Sequence, residues 1–163
     1  EPQFISGTLF DNLIMGIDRD HVEQDGDEKR IVDICRALAI PSFIIDMIQQ
    51  RRVCPWDNLA LSHRVLLCFA RAFITNPEVL VLHKPMMNLN KTSTSRVMQL
   101  LRDFVDKRGL CQDPKKFWLR RPRTCFITGG VADCCSIADV IFEVHRVLKW
   151  FAVHKSIKEK HVS

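Results

Sequence analysis

The chain has no run of the roughly 18 apolar residues that a membrane-spanning helix needs; its longest apolar stretches, such as residues 79–82, are strand-sized. No signal peptide is read ahead of its cysteines. No internal repeat and no low-complexity tract occurs, which argues against a solenoid or a disordered linker. The Cys-x₂-Cys spacing of zinc sites is also missing: Cys134 and Cys135 are adjacent, and no histidine is placed to complete a set with Cys125. No metal site is expected. The seven cysteines are odd in number, and Cys35, Cys68 and Cys125 lie inside apolar stretches. They read as reduced, packed thiols in a reducing, intracellular compartment.

What remains is ordinary globular composition: 163 residues, 47% hydrophobic, 26% charged, net charge +5. This suffices for one modest domain with a real core. So mild a positive charge does not by itself imply nucleic acid, which is not an expected partner. Glu1 is not Met, and Phe4-Ile5-Ser6-Gly7 reads as mid-domain. The expectation is a start inside a longer product, or a processed one.

Hydrophobic spacing predicts a short helical turn at 9–15 and a solvated acidic loop at 19–28. A helix follows at 29–39, with Ile31, Ile34, Cys35 and Leu38 on one face, and another at 43–49 after Pro41. Leu66, Phe69, Ala70 and Phe73 stripe a helix over Leu61–Ile74, which Asn76-Pro77 stops. Residues 79–82 suit a buried parallel strand. Asn90 or Thr92 is the candidate cap of a helix over 94–107, with Val97, Leu100, Leu101 and Phe104 inward. A basic loop fills 109–122. Strands are expected at Thr124–Thr128, 140–144 and 147–153, a short helix at 132–137, and a frayed basic tail after His154. Strands alternating with helices argue for a parallel α/β sheet, entered from a helical subdomain.

Residues 59–90 carry a family resemblance. Leu59-Ala60-Leu61-Ser62-His63, Ala70-Arg71-Ala72, Asn76-Pro77, the strand at 79–82, Pro85 and Asn90 resemble, without a gap, the stretch of ATP-binding cassette (ABC) proteins from the signature motif to the D-loop. Glu1-Pro2-Gln3-Phe4-Ile5-Ser6-Gly7-Thr8-Leu9 is similar to the segment following the Q-loop glutamine. Arg123-Thr124-Cys125-Phe126-Ile127-Thr128 and Ala138-Asp139-Val140-Ile141 resemble the switch-histidine strand and the strand after it. The likeness covers about residues 1–146 and is closest to exporter-type cassettes.

The departures fall on the chemistry. No Gly-x₄-Gly-Lys-Ser/Thr phosphate loop occurs in these residues; in the family it lies upstream of residue 1. By the resemblance, His83 stands where the Walker B aspartate holds Mg²⁺, a poor hard-oxygen substitute. Lys84 stands at the catalytic glutamate, and an ammonium cannot accept a proton from water. Asn90 replaces the D-loop aspartate, and Gly130, or Gly129 in a shifted register, replaces the switch histidine. The signature's Ser-Gly-Gly-Gln becomes Ala60-Leu61-Ser62-His63, with Leu61 where backbone N–H groups approach phosphate.

Each position has a blander reading. His83 and Lys84 read as a new anion site at a strand end or, preferably, a relic kept for packing. Ser62 and His63 touch a partner cassette's ATP or, preferably, Ser62 simply caps its helix. Arg64, Arg71 and Arg96 are read as helix-surface or helix-end residues without chemistry. Lys115, Lys116, Trp118, Arg120 and Arg121, within the basic stretch 107–123, form either a docking surface for RNA, anionic lipid or an acidic protein face, or a solvated insertion.

The expectation is an α/β, partial P-loop NTPase-like parallel sheet with a helical subdomain. The partial nucleotide-binding domain spans 1–146 (helical part about 10–75, sheet part about 76–146), and 147–163 form a strand and basic tail. The resemblance implies a degenerate, non-hydrolysing subunit with no cofactor of its own; ATP and Mg²⁺ enter only if a partner cassette supplies the site. It also implies a second ABC-type domain, a membrane-spanning domain or other subunits as partners, and membrane association through them. Two other readings stand beside it: a segment of a working transporter whose Walker A lies upstream, and an interaction module docking through 107–123.

Overall fold

Thr8 ends an extended entry and starts the first helix by a reciprocal cap: its hydroxyl accepts from the Asp11 amide at 3.0 Å, and the Asp11 carboxylate accepts from the Thr8 amide at 3.2 Å. The computed structural model describes residues 2–53, 58–129, 137–145 and 150–155. Its helices are α1 (Leu9–Ile14), α2 (Val22–Asp25), α3 (Glu28–Ala37), α4 (Ser42–Gln49), α5 (Leu61–Ile74) and α6 (Lys91–Asp106); its strands are β1 (Val79–His83), β2 (Thr124–Thr128), β3 (Val140–His145) and β4 (Trp150–Lys155).

α5 is the axis of the core. Its buried stripe of Leu66, Leu67, Phe69, Ala70, Phe73 and Ile74 packs on α1 and α3. The Phe73 and Phe104 rings, 5.6 Å apart, join it to α6. Burying such side chains contributes about 1.5–3 kcal/mol each. β1 and β2 pair in parallel, Val79 opposite Thr124 through His83 opposite Thr128. The long link through α6 permits this pairing, because parallel strands need a crossover. One face of the pair, with Leu80, Leu82, Cys125 and Ile127, meets the core. The other presents Val79, Val81 (68% exposed) and Phe126 to solvent, so the expectation of buried strands is corrected: β1 and β2 are buried on one face only.

Three further expectations are corrected. The acidic stretch 19–28 is not a solvated loop: it holds a 3₁₀ turn and α2, and Asp25 is buried. The reason is Arg30, also buried, whose guanidinium lies 3.4 Å from the Asp25 carboxylate. Arg30 also donates to the carbonyls of Asp25 (2.7 Å), Phe73 (2.9 Å), Ile74 (3.0 Å) and Leu110 (3.2 Å). It thereby caps the carbonyl end of α5 and pins the helical part to the sheet part. Second, α6 begins at Lys91 rather than Thr94, because Asn90 is the cap and accepts from the Ser93 amide at 2.8 Å. Third, β3 does not extend the β1–β2 sheet. It pairs antiparallel with β4, and β4 runs over Trp150–Lys155 rather than 147–153. The four residues 146–149 between them are too few for a parallel crossover. Arg102 of α6 ties this hairpin's approach, donating to Asp139 at 2.7 Å and to the Ile137 carbonyl at 3.3 Å. The expected helix at 132–137 lies outside the described residues up to 136, and the tail beyond 155 lies wholly outside them.

The N-terminal segment is held from both sides. Asn12, fully buried, accepts from the Ile5 amide (2.8 Å) and donates to the carbonyls of Ile5 (3.0 Å) and Thr8 (2.9 Å). Arg71 is not a free surface residue: it donates to the Gln3 carbonyl at 3.2 Å, and its guanidinium lies 5.5 Å from the Phe4 ring centre.

Candidate functional site

Parallel strands direct their carboxyl ends to one edge, where open α/β sheets place their ligands. Here that edge is built from His83, Lys84, Thr128 and Gly129, all exposed. Register places His83 directly beside Thr128, and His83 Nδ1 lies 2.8 Å from Thr128 Oγ1. The Lys84 amide donates to the Thr128 carbonyl at 2.8 Å. Lys84 itself adopts a left-handed φ of +44°, ending β1 abruptly and turning the chain toward Pro85.

No aspartate or glutamate occurs between Val79 and Thr94. The side chains at the strand ends are an imidazole, an ammonium and a hydroxyl. Mg²⁺ requires hard oxygen donors, chiefly carboxylates, and a cation beside it repels it. This donor set does not fit a magnesium–nucleotide site. It is chemically suited to an anion, and its two basic groups stand in water, where each is well solvated without one.

The other sequence-derived positions are not gathered here. Asn90 is committed to capping α6, as described. Gly130 lies outside the described residues, as do Cys134 and Cys135. At the start of α5, Ala60 is the N-cap, without a side-chain cap bond. The expectation that Ser62 caps the helix is therefore corrected: Ser62 sits within the first turn, half-buried. Leu61 is exposed, and His63 turns its ring edge onto Phe43, with centroids 6.2 Å apart. That contact binds α5 to α4 and gives His63 a structural task.

The basic loop lies at the opposite, amino edge of the sheet, since it runs directly into β2. Its arginines bind the protein itself, Arg108, Arg120 and Arg123 from half-buried positions and Arg121 in an exposed surface pair. Arg120 donates to the Lys107 carbonyl at 3.0 Å and to the Asp113 carbonyl. Arg108 donates to the Arg120 carbonyl at 2.9 Å and lies 4.7 Å from the centre of the Phe117 ring. Arg121 pairs with Glu78 at 2.9 Å, and Arg123 donates to Asn76 at 3.2 Å. As a freely available docking residue, Arg120 is thus withdrawn: it is half-buried bracing. Lys115, Lys116 and Trp118 remain exposed.

Thr128 was missed as a site residue. It looked like the end of a strand, and only the register that sets it beside His83 shows its place. Arg30 and Asn12 were missed because their partners lie far along the chain or in backbone carbonyls.

A parallel strand pair crossed over by a helix, preceded by a helical subdomain and carrying polar residues at the carboxyl edge, is an α/β unit, and its fold neighbours below place it in the P-loop NTPase-like class. No protein-family model matches the chain. The ABC-type transmembrane transporter verA of Clonostachys rogersoniana is 30% identical over 113 residues, 68% of this chain and 9% of that protein. The phosphate import ATP-binding protein PstB of Mycobacterium intracellulare is 28% identical over 100 residues, 61% of this chain and 34% of that protein. A dimeric bacterial ABC transporter cassette shares the fold with a TM-score of 0.55 at 13% identity, covering 87% of this chain and 53% of its own. A post-hydrolysis cassette structure bound to ADP and Pi gives a TM-score of 0.56 with the same coverage. Sequence relatives and fold neighbours agree on an ABC nucleotide-binding domain, and these residues carry its fold. The chain spans between 9% and 34% of the length of those two curated relatives. No helix among the described residues is long and apolar enough to cross a membrane.

Proposed function

We propose that this chain is a degenerate ABC ATP-binding cassette segment that does not hydrolyse ATP on its own residues and that serves as a structural or regulatory part of a transporter or larger assembly. The observation that carries the reading is the pair His83–Lys84 at the carboxyl end of β1, with no carboxylate from Val79 to Thr94. In the family these positions hold Mg²⁺ and activate water; a histidine and a lysine do neither. Any ATP at Ala60–His63 would be held chiefly by a second cassette, which is the partner the reading calls for, together with a membrane-spanning domain. The bare outer face of β1–β2, with Val79, Val81 and Phe126, supports a covering segment or subunit. That the relative verA is a transmembrane transporter favours a segment of a longer transporter chain as a second reading.

Two measurements on the native full-length product separate these readings: its intact mass with co-purifying chains, and Mg²⁺-dependent ATP turnover for the parent, His83→Ala and Lys84→Ala. Unchanged turnover in both variants is expected. A loss of about a hundredfold or more, the usual cost of deleting a group that stabilises a transition state, would overturn the non-hydrolysing reading. A mass well above 18.9 kDa with membrane partners would support the transporter segment; a mass near it with soluble partners would remove the transport context.

A further inference from the structure

The loop between α6 and β2 is built to hold one short element rigidly outward. This is the 3₁₀ turn Pro114–Leu119, capped by Asp113, whose carboxylate accepts from the Lys115 amide at 3.0 Å. In a 3₁₀ helix the side chains at i and i+3 eclipse, so the turn has three rows. One row is Pro114 and Phe117. Phe117 is half-buried, with Arg108 against its ring, and faces the body of the protein. The second row is Lys115 and Trp118, and the third Lys116 and Leu119. Both lysines are exposed, and Trp118 and Leu119 are each 83% exposed.

Each outward row therefore repeats one design: an apolar tip beside an ammonium. Three of the four guanidinium groups nearby are taken up at half-buried positions, and the fourth, Arg121, is exposed in a surface pair. Arg108 and Arg120 hold loop carbonyls, Arg121 pairs with Glu78, and Arg123 bridges Asn76 and the Arg121 carbonyl. This separation of roles decides what the tip fits. Nucleic acid is best served by arginine forks on phosphates and planar faces for stacking, but here Arg108, Arg120 and Arg123 are spent on the protein itself and Leu119 has no face to stack. An acidic protein surface rewards the lysines but would have to supply a matching apolar pocket for the adjoining Trp-Leu pair that projects from the surface. A membrane interface rewards all four: tryptophan and leucine enter the headgroup–acyl boundary while the lysine ammoniums meet anionic headgroups.

We propose that the Lys115–Leu119 tip is a membrane-surface anchor that recognises anionic lipid. It lies at the amino edge of the sheet, away from His83 and Lys84, so it stands or falls independently of the hydrolysis reading.

The test is flotation of the 163-residue chain with phosphatidylcholine vesicles, with and without phosphatidylserine. Binding to the phosphatidylserine vesicles, weakened by raised salt, is expected. Lys115→Ala and Lys116→Ala should each lower partitioning by about fivefold. Trp118→Ser with Leu119→Ser should abolish it at every salt concentration, while far-UV circular dichroism stays that of the parent because neither side chain is buried. Quenching of tryptophan emission by brominated lipid should vanish in Trp118→Ser, although two other tryptophans remain. Absence of flotation, flotation equal for the parent and the Trp118→Ser/Leu119→Ser chain, or tip-dependent binding of single-stranded RNA without lipid binding would each overturn the proposal.

Discussion

Replacing Arg30 should be among the most damaging single changes in this chain. Its guanidinium donates to four carbonyls at 2.7–3.2 Å and faces the Asp25 carboxylate at 3.4 Å, with both side chains under a tenth exposed. Burial pulls the guanidinium's pKa below its ordinary value, with Asp25 opposing, yet arginine stays charged in proteins. In Arg30→Met the Asp25 carboxylate keeps only the Gln112 amide, at 3.0 Å, and the carbonyls of Phe73 and Ile74 at the end of α5 lose their donor. Charged hydrogen bonds contribute about 1.5–3 kcal/mol each but do not add. Breaking a buried pair from one side costs about 3–5 kcal/mol. That is at least about a fifth of the roughly 5–15 kcal/mol by which a domain of this size is stable. With a urea slope of about 1–3 kcal/mol/M, the unfolding midpoint should fall by at least about 1 M at unchanged slope. Arg30→Met combined with Asp25→Leu removes both charges and should recover a large part of the loss, because a buried pair replaced by apolar groups is often neutral. A single variant within about 1 kcal/mol of the parent, or a double variant no better than the single, would refute the staple.

Three further outcomes follow from local geometry. Asn90→Ala removes the cap of α6 and should cost about 1 kcal/mol, read as a lowered Tm, whereas Thr92→Ala should not. Hydrogen bonds from Thr8 hold the Asp11 carboxyl below its usual pKa of 3.8. Its contribution is therefore present above that value and lost as the pH falls through the lower folded one, so the stability gap between the parent and Asp11→Ala should be flat near neutrality and close in acid. Burial pushes the Cys35 thiol up to about 12; the Cys111 thiol is raised too, by partial desolvation, but its residue is exposed to solvent. Iodoacetamide at pH 8 should label Cys111 in the native state and Cys35 only after unfolding, as peptide mass mapping will show.

The fold was legible where a period or a punctuator marks it. The stripe of α5 and the stop at Asn76-Pro77 place that helix at Leu61–Ile74, and the apolar runs place β1 and β2. Asn90 was a candidate cap, yet the helix start was set three residues late, because Lys91, Thr92 and Ser93 have no apolar face to announce a first turn. Charge misled more seriously. A stretch with Asp20, Glu23, Asp25, Asp27 and Glu28 looks solvated, and nothing local says that one of the five is buried against an arginine five residues on. That fact resides in the carbonyls of Phe73, Ile74 and Leu110, which no sequence window around Arg30 contains.

The same distinction divides the candidate site. The identities of His83 and Lys84 were legible, and with them the loss of hard oxygen donors. Their setting was not. Thr128 reaches His83 only through strand register, and the left-handed turn at Lys84 comes from its backbone. The basic loop shows how far identity alone falls short. Seven basic residues with two aromatics read as one charged patch, but the structure sorts them by what each side chain can hold. Arg108 and Arg120, with five donors in a fixed fork, brace carbonyls from half-buried positions, whereas Lys115 and Lys116 remain exposed beside Trp118 and Leu119. The patch is thus an arginine-built socket carrying a lysine–tryptophan–leucine tip. A change in Arg108 or Arg120 should act on the tip by loosening its support, not by removing charge from the surface.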